Sequence, residues 1–433
     1  MIAPGVCRTC PDDPLQWGHV EPSRGAGTRA GPSTARRVAF VVVAYSFVVT
    51  MLGTTLPTPL YPIYQQRYGY SGLLVTVIFA AYAVGVVAAL LLLGRLSDQI
   101  GRRPVLIVGL ALSALSAVAF LAPLGLPGMF VGRVLSGLSA GVYTGTATAT
   151  LLDLVPTEGR ARASLVGAAV NMGGLGLGPV VAGVLAEYAP APLALPYVAS
   201  LVMLVPAAIG VALLAEPVEG AAGWRGASLR PQRLRVPAAA RPVFARAVIA
   251  GFAGFAVLGL FTSVSPAFLG QVLGVHDHAV EGLVVFSLLA ASTVGQLLSA
   301  RLGERTSLVG GSAVLGVGAL GIALALVMAS LPVLVAGAVV AGLGQGASFR
   351  AGLGAVGAAS PASQRAEVSS SFFVVVYVAL SVPVIGVGAA AQGFGLTAAG
   401  VGFSLAVAAL AAVAVVALLR RTDDQGSGGS RSD

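Results

Sequence analysis

Arg133 is the side chain in this sequence with the most chemistry to offer, because it sits inside an apolar run and is followed by Gly137, Gly141, Thr144 and Thr148. Steps of four and three place these residues on one helical face. The glycines admit a second helix at close range, and an unpaired guanidinium in such surroundings costs several kcal/mol. Two readings stand open. Arg133 is a substrate- or proton-coupling group facing inward, or it lies ~9 Å from its helix end and snorkels to the interface. Arg350 sits at a similar depth from the other face, where snorkelling or a structural role is the plainer reading.

Two other patterns have chemical content. The segment Gly94-Arg-Leu-Ser-Asp98-Gln-Ile-Gly101-Arg102-Arg103 is a tight, charged loop between apolar runs. Glycine allows the turn, and an arginine pair anchors it at an anionic leaflet. Further on, Gly174-Leu-Gly-Leu-Gly178-Pro179-Val-Val-Ala182-Gly183 is a glycine-rich stretch that Pro179 must bend. The only two cysteines form one Cys7-Arg-Thr-Cys10 in a polar N-terminal tail, too few for a zinc site even with His19. No metal or cofactor is expected.

The elements that position these residues follow from composition. Of 433 residues, 57% are hydrophobic and only 9% charged, against about 25% charged in a soluble domain. That excludes a soluble globular, disordered or nucleic-acid-binding chain. Runs of roughly 20 apolar residues span a bilayer. Twelve such runs are expected near 38–60, 72–94, 104–123, 128–151, 163–188, 195–215, 243–266, 280–300, 307–329, 332–356, 367–391 and 396–419. They are continuous rather than alternating, so the fold class is an all-α membrane protein and not a β-barrel.

All 25 basic residues are arginine. With the N-terminus inside, 22 of them fall on the cytoplasmic side, which places both termini in the cytoplasm. The segment 216–242 is the longest internal break. The expected organisation is a disordered tail (1–35), a six-helix bundle (36–215), a cytoplasmic linker (216–242), a second bundle (243–420) and a short tail (421–433). The halves share a faint repeat: Arg133 to Gly141, Pro156 and Arg160 reappear 205 residues on as Ala338 to Gly346, Pro361 and Arg365.

The loop Gly94 to Arg103 resembles the signature of the major facilitator superfamily, Gly-x-x-x-Asp-(Arg/Lys)-x-Gly-(Arg/Lys)-(Arg/Lys), in the place where that family carries it. Gln99 departs from the pattern, and Ala300 stands where a second-half copy would have Asp. The resemblance covers about 36–420 and implies twelve helices in two bundles that rock about a central site. It implies a conformational latch of Gly94, Asp98, Gly101, Arg102 and Arg103 with Asp153, facing the start of the eleventh helix. The run from Arg133 resembles the family's fourth-helix motif. The stretch Gly174, Gly178, Pro179 and Gly183 resembles the antiporter motif of drug exporters, with Ala182 for one glycine. By the same resemblance Thr50, Thr144 and Gln345 line the cavity, joined by Asn171, Gln296 and Tyr377.

All 16 acidic residues lie in tails, loops or helix ends. A proton carrier is therefore peripheral: Asp153 on one side, or Glu187 or Glu281 on the other, where His276, Asp277 and His278 also cluster. The absent mid-membrane acid disfavours strongly cationic substrates. No Walker loop exists, and with no lysine none can, which excludes ATP-driven transport by this chain alone. The expected function is secondary export of small lipophilic or drug-like molecules across the plasma membrane, coupled to protons, by a monomer in the lipid bilayer of a bacterium. A sugar or metabolite permease of the same superfamily is the alternative. A membrane-embedded sensor or enzyme is remote, for want of a nucleophile, base or metal set.

Overall fold

A computed structural model describes residues 34–94, 96–216, 232, 234–361 and 364–420. Twelve helices of 18 or more residues make up most of them: α1 (Thr34–Thr55), α2 (Gly72–Leu93), α3 (Arg102–Leu121), α4 (Gly125–Asp153), α5 (Arg160–Tyr188), α6 (Leu195–Ala212), α7 (Arg241–Ser263), α8 (His278–Ser299), α9 (Glu304–Met328), α10 (Leu331–Ala358), α11 (Arg365–Phe394) and α12 (Leu396–Leu419). No strand occurs among the described residues.

The expected runs and the observed helices differ most at the end of α1, expected at 60 and found at Thr55. Pro57 and Pro59 explain the shift. A proline cannot donate to the helical ladder, so the chain breaks into a 3₁₀ turn, Thr58–Leu60, and a short helix, Tyr61–Tyr68. The same happens after α7, where Pro266 opens a second short helix, Ser265–Gln271. Eleven of the long helices are apolar enough to cross a membrane on length and hydropathy alone. The other is α4, whose Arg133, glycines, serines and threonines lower its hydropathy because it spends that face on protein.

Twelve crossings put the start of α1 and the end of α12 at one end of the molecule, the termini end; the α1–α2 and α7–α8 connections lie at the far end. Helices α1–α6 pack on one another, α7–α12 do likewise, and the two sets meet chiefly along α5–α8 and α2–α11. The outer surface is aliphatic, with Val84, Val202, Val317 and Val413 exposed, as expected where lipid is the solvent. The Cys7–Cys10 pair, most of the N-terminal tail and the last residues lie outside the described residues. Of the 216–242 segment, Glu216, Gln232 and 234–242 are described.

Candidate functional site

Between the bundles lies a cavity of about 650 Å³, within the range of small-molecule sites. It runs from Met51, Thr54 and Tyr82 at mid-depth to Leu90, Leu152, Ser164, Gly354 and Phe373 near the termini end. Its wall is mostly apolar. A chain of aromatic contacts crosses it from one bundle to the other: Tyr82 to Tyr377 at 6.2 Å, Tyr377 to Phe255 at 6.1 Å, Phe255 to Phe349 at 5.1 Å and Phe349 to Phe373 at 6.1 Å between ring centroids. Separations of this order suit edge-to-face and offset ring contacts.

Arg133 is at the inner limit of this cavity and only 1% exposed. It does not reach outward. Its Nη1 donates to the Thr54 carbonyl of α1 at 2.6 Å, and its guanidinium lies 5.7, 5.3 and 5.6 Å from the ring centroids of Tyr61, Phe79 and Tyr82. Rings present negative faces to a cation, each contact worth about 0.5–2 kcal/mol. Its Nε has no hydrogen-bond partner. The aromatic cage comes from α2 and from the short helix after α1, a long-range assembly that sequence spacing does not reveal. The nearest signal was the aromatic density around Tyr61, Phe79 and Tyr82 itself.

Of the residues expected on the wall, Arg133, Thr144, Asn171, Gln296 and Tyr377 line the cavity, as does Arg350. Thr50 and Gln345 do not. Thr50 is fully buried and turns its hydroxyl onto the Ser46 carbonyl at 2.7 Å, the usual way a helical threonine satisfies itself. Gln345 lies behind the wall, where its Oε1 accepts from Ser292 of α8 at 2.5 Å.

At the termini end the loop residues converge. Arg102 donates from Nη1 to Asp98 at 2.6 Å and to Ser97 at 2.7 Å, and from Nε to Asp153 of α4 at 3.1 Å. The Asp98 side chain is 65% exposed and pairs within its own bundle. Gly101 adopts a φ of +105°, a conformation that favours glycine. A side chain there would also strike the Glu216 carboxylate. Glu216 supplies a helix cap the sequence did not disclose: it accepts from the backbone N–H groups of Arg102 at 2.7 Å and Arg103 at 3.0 Å, the first of α3. Gly94 lies against Gln232, which accepts a hydrogen bond from Ser370 of α11 at 2.6 Å and donates its backbone N–H to the Leu91 carbonyl at 2.7 Å.

At the far end the bundles are closed on each other. A Cβ at Gly174 would lie 2.6 Å from the Val48 carbonyl of α1, and one at Gly178 would collide with Thr55 and the Leu52 carbonyl. Beyond the bend at Pro179 the same helix turns to α8: Pro179 backs onto Gly282, and Gly183 onto the His278 carbonyl. Thus Gly174 and Gly178 seat α5 on α1 of its own bundle, while Gly176, against Phe286 and Leu289, and Gly183 face α8 of the other. The Thr58 hydroxyl donates to the Thr262 carbonyl at 3.0 Å across the same seam. Asp277, expected only as part of a polar cluster, caps α8 by accepting from the N–H groups of Ala279 and Val280 at 2.8 and 3.0 Å. His278 joins the helices: its N–H donates to Glu187 of α5 at 3.0 Å, and its Nδ1 is 3.1 Å from Glu281.

Two helical bundles about a central cavity, open at one end and sealed at the other, are the architecture on which many secondary transporters are built. The profile of the Major Facilitator Superfamily matches residues 43–328, and the chain belongs to that superfamily. It is a multi-pass membrane transporter, not an enzyme. The quinolone resistance protein NorA of Staphylococcus aureus is 27% identical over 146 residues, 34% of this chain and 38% of NorA. Multidrug resistance protein 2 of Bacillus subtilis is 27% identical over 183 residues, 42% of this chain and 45% of that one. The aligned segments thus span less than half of either relative. Among solved structures, a bacterial homologue of the human lysosomal transporter Spinster, inward-facing and unoccupied, superposes with a TM-score of 0.67 at 16% identity, covering 90% of this chain and 97% of that one. The human organic anion transporter MFSD10 (TETRAN) superposes at 0.63 with 18% identity, covering 88% and 99%. Both share the fold.

Proposed function

We propose that this transporter exports small lipophilic or drug-like molecules across a bacterial plasma membrane by alternating access, as a monomer with both termini in the cytoplasm. The observation that carries the reading is the apolar cavity between the bundles, open at the termini end and closed at the far end along α5 and α8. With the termini inside, this is the state that loads from the cytoplasm. The resemblance of the α5 stretch to the antiporter motif of drug exporters supports export, and its Gly183 closes on α8 at the far end. The resistance proteins to which part of the chain is similar support a drug-like substrate. The sparse polar wall weighs against a sugar permease.

Proton coupling belongs to the same proposal. No Asp or Glu lines the cavity among the described residues, so the carrier sits at an end: at the far seam, where Glu187, His278 and Glu281 meet, or at Asp153. Opening the far seam separates Glu187 from His278, which ties a change of protonation there to the conformational change.

The test is dye extrusion. Energised cells expressing the chain, preloaded with a panel of neutral, anionic and cationic lipophilic dyes, should lose at least one of them several-fold faster than control cells, and a protonophore should abolish the difference. Faster entry, or no difference across the panel with the protein present in the membrane, contradicts export.

A further inference from the structure

The charge inventory of the cavity has one sign. Arg133 and Arg350 are the charged residues on its described wall, and no carboxylate accompanies them. A cation entering this space meets two like charges and no counter-charge. A neutral molecule without an acceptor leaves the buried Arg133 Nε unpaired, as it is in the empty site. A second donor, the amide nitrogen of Gln296, is likewise buried on the wall without a partner. Buried polar groups are rarely left so, and both unpaired groups here are donors.

We propose that the transported class is the amphipathic monoanion, a lipophilic body bearing one acid group, with that group held by Arg133. This rests on the exporter reading above and names the substrate class of the same site. The three rings of Tyr61, Phe79 and Tyr82 stabilise the guanidinium while the site is empty. An oxyanion offers it the charge-assisted hydrogen bonds that rings cannot, and these are the stronger kind. Arg350 stands toward the open end, so an anion entering from that side passes it before reaching Arg133. The same wall carries Phe255, Phe349, Leu353 and Phe373, an apolar surface for the body of the ligand.

The missing mid-membrane carboxylate then has a consequence for energy coupling. Moving a singly charged anion out of an inside-negative cell is driven by the membrane potential itself, by a concentration ratio of roughly 50-fold per 100 mV. Each turnover carries negative charge outward. Export therefore proceeds on the potential with or without a returning proton, and the cavity needs no acid of its own.

The experiment uses the full chain in proteoliposomes and three probes of one shape: 2-naphthalenesulfonate, 2-naphthalenesulfonamide and 2-naphthyltrimethylammonium. Valinomycin with a potassium gradient sets the lumen positive or negative at equal pH. The sulfonate should accumulate at least tenfold over protein-free vesicles when the lumen is positive and not when it is negative. It should also raise the melting temperature of the detergent-solubilised wild-type protein, where the ammonium does not. Arg133→Gln should reduce sulfonate transport at least tenfold, and Arg350→Gln less. Should Arg133→Gln fail to fold, the wild-type selectivity among the three probes decides alone. Preference for the ammonium or the sulfonamide, or sulfonate uptake indifferent to the sign of the potential, overturns the anion class and leaves the exporter reading standing. No transport or stabilisation by any probe overturns both.

Discussion

Helices α4 and α10 hold matching places in the two bundles and carry the same glycine spacing, yet only α4 carries a buried charge. In α4, Gly137 lies against the Tyr82 carbonyl and Gly85 of α2, and a Cβ at Gly141 would stand 2.6 Å from that of Ala89. In α10, Gly342 lies against the Leu288 carbonyl of α8 and Gly346 against that of Ser292. Close backbone approach through small residues is how helices associate where lipid offers no hydrophobic drive. The repeat thus preserved what holds each bundle together. It did not preserve Arg133, whose counterpart 205 residues on is the buried Ala338. The shared glycines hold helices together, Gly141 at the cavity edge among them, and the unshared Arg133 puts a charge at the cavity.

Five substitutions press on that difference. The largest effect should come from the shared ladder. Gly137→Val and Gly346→Val each force apart two backbones in contact, an overpacking cost of about 1–3 kcal/mol or more, and both should lower the melting temperature and the yield of folded protein. A marked fall in only one of them breaks the equivalence of the two helices. Next comes the far seam. Gly183→Val pushes α5 off α8 where His278 now sits, and a penalty of about 1–3 kcal/mol against the sealed state shifts the equilibrium roughly five- to 150-fold. Thiol labelling of a reporter cysteine at Thr262 from the outside should rise accordingly, in a background with Cys7 and Cys10 replaced by serine.

Smaller effects belong to the termini end. Asp98→Asn should slow turnover severalfold while substrate binding stays nearly intact, because the exposed Asp98–Arg102 pair contributes at most about 1 kcal/mol to this open state. The latch reading puts its work in the closed state, when the loop would meet α11. Unchanged transport in that variant removes the latch from the account. Glu216→Ala deletes the cap on α3 and should cost about 1 kcal/mol of stability, seen as a melting shift of a few degrees. Second-bundle counterparts of both residues are absent, so neither loss should be mirrored there.

Much of the fold is readable from the chain, because a membrane helix is declared by one long apolar run and its ends by proline, glycine and arginine. The runs from 72 and from 396 are found as Gly72–Leu93 and Leu396–Leu419. The site is less readable. The spacing from Arg133 to Thr148 puts one face of α4 in view, but which rings surround Arg133 depends on residues 51–72 positions away. Thr50 and Gln345 show the same limit from the other side: each lies on an inner helix, yet each spends its polar group on a neighbour rather than on the cavity. Glu216 and Gln232, at and within the break between the bundles, carried no motif at all. Their contacts with α3 and α11 exist only once the chain has folded back.

The most direct test of the claim that Arg133 is the functional residue of this asymmetric pair is uptake into inside-out vesicles of a lipophilic compound that the wild type transports. It should be measured alongside Arg133→Ala at matched levels of protein eluting as a single peak. The account predicts that the variant still yields folded protein and that its uptake falls at least tenfold, since a charge-assisted hydrogen bond is worth about 1.5–3 kcal/mol. Wild-type uptake by the folded variant would contradict it and return Arg133 to a structural part within α4.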